Sequence, residues 1–194
     1  LVRLRQWPSP QHFLGGDSTM AVSNEFPYPE MKQILTQAQT YQKFYNKEKA
    51  CEQILRVDME KYRVWDDTNK LLAVIQKIPG GYLQFNMWQQ FYVLNPSEKG
   101  KDIPKEKRFA GIHFDDFPEL EGMVAHLKTF STYTDLKDKA YDAFMQELSA
   151  YGWDTDEERL KTLIDFLPDI LQRQIEFMIF DLKAELKRKE GQTQ

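Results

Sequence analysis

Cysteine is nearly missing from this chain of 194 residues: Cys51 stands alone. A single thiol excludes an internal disulfide framework and fits a reducing compartment. Histidine is scarce, with only His12, His113 and His126. No HExxH, CxxC or GxSxG pattern occurs, and neither does a GxGxxG or Walker sequence. Gly80-Gly81 is a turn signal rather than a phosphate loop. The longest unbroken apolar run is Leu71–Ile75, far too short to span a bilayer. Charge of one sign is also lacking. The formal net charge is −4 with acids and bases interspersed, which argues against nucleic-acid binding driven by bulk charge. A soluble, cytoplasmic protein is the expectation, with no membrane, nucleic-acid or cofactor partner.

Residues 1–19 hold two prolines and Gly15-Gly16, show no periodicity and lack the apolar core of a secretory signal. They fit an extension upstream of a functional start at Met20, and equally an ordinary flexible terminus. Residues 1–28 are therefore read as a flexible leader and 29–190 as one domain.

What the chain does have is aromatic side chains, 13% of its residues, each able to bury a large area. They concentrate in Tyr82–Leu94, YLQFNMWQQFYVL, around which the rest can be organised. Its odd positions, Leu83, Phe85, Met87, Gln89, Phe91 and Val93, are apolar but for Gln89. That period of two between Pro79-Gly80-Gly81 and Asn95-Pro96 predicts a long strand over 82–94. Leu83, Met87, Phe91 and Leu94 offer a weaker helical fit.

Met31, Ile34, Leu35, Ala38, Tyr41 and Tyr45 form a helical stripe that can be carried to about residue 55. Residues 57–78 fit strand–turn–strand, or a capped helix ending at Pro79; the strand reading is adopted. Residues 96–107 are loop, and 108–114 read as a short returning strand. Thereafter the pattern is helical. One helix runs from Pro118 to about Phe130, another is capped by Thr134, a third opens with a Thr155-x-x-Glu158 capping box, and a last one covers about 168–189. No internal repeat stands out. The predicted fold is α+β: a small antiparallel sheet of three or four strands, with an N-terminal helix and a C-terminal layer of about four helices. A mainly α-helical bundle is the alternative.

Two groups of residues are candidates for function. His113, Asp115 and Asp116 gather before Glu119, and His126 shares a helical face with Glu119. Such a set could bind a divalent metal or perform acid–base chemistry. The plainer reading is the preferred one: Asp116 caps the helix that follows, with Glu119 as its capping-box partner. The second group lies on the last helix, where Ile170, Phe177 and Phe180 form an apolar stripe offset from Leu171, Ile175, Met178 and Leu182. Two stripes on one helix predict either burial between two layers or a partner surface. The basic loop Lys99–Arg108, near Trp88 and Tyr92, is a weaker candidate for single-stranded nucleic acid. With no enzymatic motif present, the leading functional expectation is a non-enzymatic binding or adaptor protein, with a protein partner or a homo-oligomer at the last helix. A small metal-assisted or acid–base enzyme using His113, Asp115, Asp116 and His126 is the alternative.

Overall fold

The computed structural model describes residues 26–101 and 104–191, and no strand occurs among them. The predicted sheet is therefore overturned in favour of the helical alternative. Helices α1 (Met31–Lys61), α2 (Thr68–Ile75), α3 (Tyr82–Leu94), α4 (Lys105–Arg108), α5 (Val124–Ala150), α6 (Glu157–Ile164) and α7 (Asp169–Gly191) are joined by 3₁₀ segments and short loops.

The stretch expected as a central strand is α3. Leu83, Met87 and Phe91, four residues apart, are buried, while Tyr82, Phe85 and Val93 face solvent. The period of two arose because two exposed apolar residues, Phe85 and Val93, happened to fall between and beyond the buried positions. Residues 57–78 hold the end of α1, a 3₁₀ turn and α2, which starts where the Asp67 carboxylate accepts from the Asn69 and Lys70 backbone N–H groups. The expected strand at 108–114 is instead the end of α4, a turn through Gly111 at φ 74° and the start of the next 3₁₀ turn.

Two separately expected helices are one, because Thr134 is an interior residue of α5 rather than a cap. Thr155 likewise yields its capping role to Asp156, which accepts from Glu158 and Arg159 N–H. Pro168 sits just before α7, a position that needs no N–H donor. Most of the proposed leader, 1–25, including Met20, lies outside the described residues. Phe26 and Tyr28 already pack on the body, against Phe166 and Trp153.

The frame is an antiparallel pair formed by α1 and α5, the most extensive helix–helix packing in the chain. At 31 residues, α1 is about 46 Å long. Its direction against α5 is fixed by cross-links along its length: Gln33 with Glu147 at one end, Glu48 with Lys137 midway and Asp58 with His126 at the other. Each end of this pair carries its own core. One joins Leu55 and Met59 of α1 to α2, α3 and the Leu120–Phe130 stretch. The other joins Met31, Ile34 and Ala38 to Phe144 and Leu148 of α5, Trp153, α6 and α7.

The two cores are copies of one plan, so the chain does contain an internal repeat. Residues 89 positions apart play the same part. Met31 and Leu120, Ile34 and Met123, Leu55 and Phe144, Met59 and Leu148, and Val64 and Trp153 are all buried in pairs, as are Leu71 and Leu160. The polar punctuation repeats too. Arg63 and Gly152 both take the left-handed conformation before a 3₁₀ turn, and Asp67 and Asp156 cap α2 and α6. Lys70 bonds the Tyr62 carbonyl and pairs with Glu119; Arg159, its counterpart, bonds the Tyr151 carbonyl and pairs with Glu30. Since Glu30 and Glu119 are themselves counterparts, each repeat sends the start of its first helical stretch into the other's core. The arrangement is reciprocal, like an isologous dimer in one chain.

The repeat makes the two caps equivalent. Asp67→Ala and Asp156→Ala should each cost about 0.5–2 kcal/mol, and the double variant should lose the sum, since the two sites share no partner. Urea denaturation checks this; a harmless Asp67→Ala beside a costly Asp156→Ala would show that the two turns are not equivalent.

Candidate functional site

Between the two cores the α1–α5 pair is polar. Glu48 and Glu52 fall on the buried side of α1 and remain only 5% and 4% exposed. Burying carboxylates is costly unless they are paired and hydrogen-bonded, and both are. Glu48 Oε1 accepts from Thr134 Oγ1 at 2.9 Å and Lys137 Nζ at 2.7 Å. Glu52 accepts from Lys49 Nζ at 2.7 Å through one oxygen and from Arg56 through the other, at 2.7 and 3.1 Å. Burial would push the Glu52 carboxyl up, but the bonds from Lys49 and Arg56 outweigh it and hold the pKa below the ordinary value. Beside them Tyr41 is pushed up to about 12, mainly by burial and then by Tyr45 and Glu48.

A cleft of about 420 Å³ opens on this polar belt, lined by Tyr45, Glu48, Lys49, Glu52, Gly80, Gly81, Tyr82, Leu83, Phe130 and Lys137. The Lys49 ammonium lies 5.7 Å from the Tyr45 ring and 5.8 Å from the Tyr82 ring. None of these residues was singled out from the sequence as a site. The available signal was the placement of Glu48 and Glu52 three and seven positions after Tyr45, where the stripe of α1 would otherwise continue apolar.

The residues that were singled out are placed as follows. The Asp116 carboxylate accepts from the His113 backbone N–H at 2.9 Å, closing a 3₁₀ turn over Phe114–Asp116, and it caps no α-helix. Asp115 is exposed on that turn. His126 turns instead to α1, where its Nδ1 lies 2.6 Å from Asp58 Oδ2. That pairing orients the imidazole, but no hydroxyl or thiol among the described residues bonds its other nitrogen, so no nucleophile is poised on it. Among the described residues no three His, Cys, Asp or Glu side chains group closely enough to hold a metal ion. Cys51 is half-buried, and burial pushes its thiol up, the opposite of an activated nucleophile.

In the loop region, the Arg108 guanidinium packs over Trp88, Phe91 and Tyr92. It donates to Tyr92 Oη at 2.7 Å and to the Lys101 carbonyl at 3.0 Å. Trp88 and Tyr92 are thus already engaged by an internal cation and packed on the first core.

On α7 the inner stripe Leu171, Ile175 and Ile179 is buried, and Ile170 is partly covered. Phe177 and Phe180 are 67% and 68% exposed. The outer face of α3, which matches α7 in the repeat, similarly exposes Tyr82, Phe85 and Val93. No helix among the described residues is long and apolar enough to cross a membrane. No protein-family model, curated protein or solved structure matches this chain.

The depressed Glu52 pKa has a sign in the pH dependence of stability. A carboxyl held below its unfolded value near about 4.3 stabilises the fold above that pH. Its contribution is lost as pH falls through the lower, folded value. The melting temperature should therefore drop on acidification below about pH 4.3, and Glu52→Gln should flatten that part of the curve. Calorimetry across the acid range checks this; an unchanged slope in the variant would remove Glu52 as a cause.

Proposed function

We propose that this chain is a non-enzymatic cytoplasmic binding or adaptor protein that works through the outer face of α7, joining a second protein or another copy of itself. The observation that carries the reading is the exposure of Phe177 and Phe180 on a helix whose opposite stripe is already fully used by the second core. Leaving each ring in water forgoes roughly 1.5–3 kcal/mol relative to covering it. Aromatic rings are the side chains most enriched at the centre of protein interfaces. Around them Arg173, Glu176 and Asp181 are exposed as well, a charged rim of the kind that sets partner orientation. The residues of the acid–base alternative do not support it, since His126 pairs with Asp58 and Asp116 with the His113 backbone.

Phe177→Asp combined with Phe180→Asp should abolish association and leave the helical content intact, because neither ring supports the core. Light scattering on purified protein reads association, co-purification from the native source reads a heterologous partner, and circular dichroism reads folding. A monomeric wild type that captures nothing, or a double variant that unfolds, would end this reading.

A further inference from the structure

The two repeats differ most usefully at the cleft. In the second repeat, Tyr141 stands where the first has Glu52, and its ring packs on Tyr41, the counterpart of Phe130, at 5.7 Å between centroids. After the matching prolines Pro79 and Pro168, the first repeat has Gly80-Gly81-Tyr82 before the buried Leu83. The second has only Asp169-Ile170 before the buried Leu171. A Cβ at Gly80 or at Gly81 would meet nothing within 4 Å. The first repeat thus has a carboxylate and two side-chain-free positions where the second has a ring and two full side chains. These residues, which frame the opening, are therefore not repeated in the other half.

The chemistry of its lining is specific too. Two carboxylates, Glu48 and Glu52, face two ammonium groups, Lys49 and Lys137, so the cleft is balanced in charge. A phosphorylated or otherwise polyanionic ligand finds no excess of positive charge there, and a simple cation no excess of negative. Bonding capacity of both signs remains. Glu48 Oε2 accepts from no described group although the residue is nine-tenths buried, and Lys49 spends one of its donors on Glu52. Leu83, Phe130 and the rings of Tyr45 and Tyr82 supply an apolar wall. The volume stands at the small end of the range of about 300–1,000 Å³ that ligand sites occupy.

From these features we infer that the cleft binds a free α-amino acid with an apolar or aromatic side chain. Its ammonium bonds Glu48 Oε2 against the Tyr45 ring, its carboxylate meets Lys49 and Lys137, and its side chain lies along Leu83 and Phe130. This site is separate from the α7 face, and the two can fail independently.

Titration calorimetry of the full chain with L-phenylalanine tests the inference, with 3-phenylpropionate and 2-phenylethylamine as probes that each lack one charged group. L-Phenylalanine should bind, and each analogue should bind at least about tenfold more weakly, the loss expected when a charged hydrogen bond goes unmade. Gly80→Phe should abolish binding with an unchanged melting temperature. No heat from L-phenylalanine at millimolar concentration would overturn the inference. So would an analogue binding as tightly as the amino acid, or full binding to a folded Gly80→Phe chain. Should that variant fail to fold, the analogue series on the unaltered chain decides.

Discussion

The ion pair between Glu48 and Lys137 sits where the two halves of the molecule meet. The two residues are counterparts in the repeat, 89 positions apart, and they bond each other at 2.7 Å. In a symmetric dimer of one short chain, the same residue would face itself at this point. Two buried glutamates or two buried lysines there would repel and shed their charge. A single chain carrying both repeats can place one of each. A buried pair is weak evidence of added stability, because desolvation offsets most of its attraction. Its service is to register: sliding α1 against α5 by one turn would take the buried Glu48 carboxylate away from Lys137 and Thr134.

Around that point each core is built from the late part of one repeat and the early part of the other. The exchange of Lys70 with Glu119 and of Arg159 with Glu30 marks it at the surface. The two halves nonetheless differ in detail. Glu52 and Tyr141 show this at one pair of matched positions: one half has a buried, paired carboxylate, the other a packed ring. α7 is also longer than α3, 23 residues against 13.

The sequence made much of the helical content legible, but not the sheetless architecture. Stripes such as Met31, Ile34, Leu35 and Ala38 have one geometric solution. Tyr82–Leu94 had two, because Phe85 and Val93 are apolar yet exposed, and periodicity cannot tell an exposed ring from a buried one. The repeat was hidden by its chemistry. Buried counterparts share apolar character rather than identity, as with Val64 and Trp153. The visible Trp-Asp dipeptides, Trp65-Asp66 and Trp153-Asp154, are one residue out of register with the structural match. Pro-Glu at 29–30 and 118–119, together with the capping aspartates, preserved the true spacing. The stripe on α7 was readable as excess apolar surface. The cleft was not, because it depends on α1, α5 and the Gly80-Gly81 turn meeting across long stretches of chain.

The interleaving of the repeats also sets an order of assembly during synthesis. The first core needs Leu120 to Phe130, so the apolar faces that α1, α2 and α3 bring to it are not fully covered until that stretch has been made. The second core needs Leu171, Ile175 and Ile179 to meet Met31 and Ile34, which precede them by most of the described residues. Contacts so distant along the chain close slowly, since loop entropy is lost before any packing compensates it. The leading end of α1 is therefore made long before the residues that cover it.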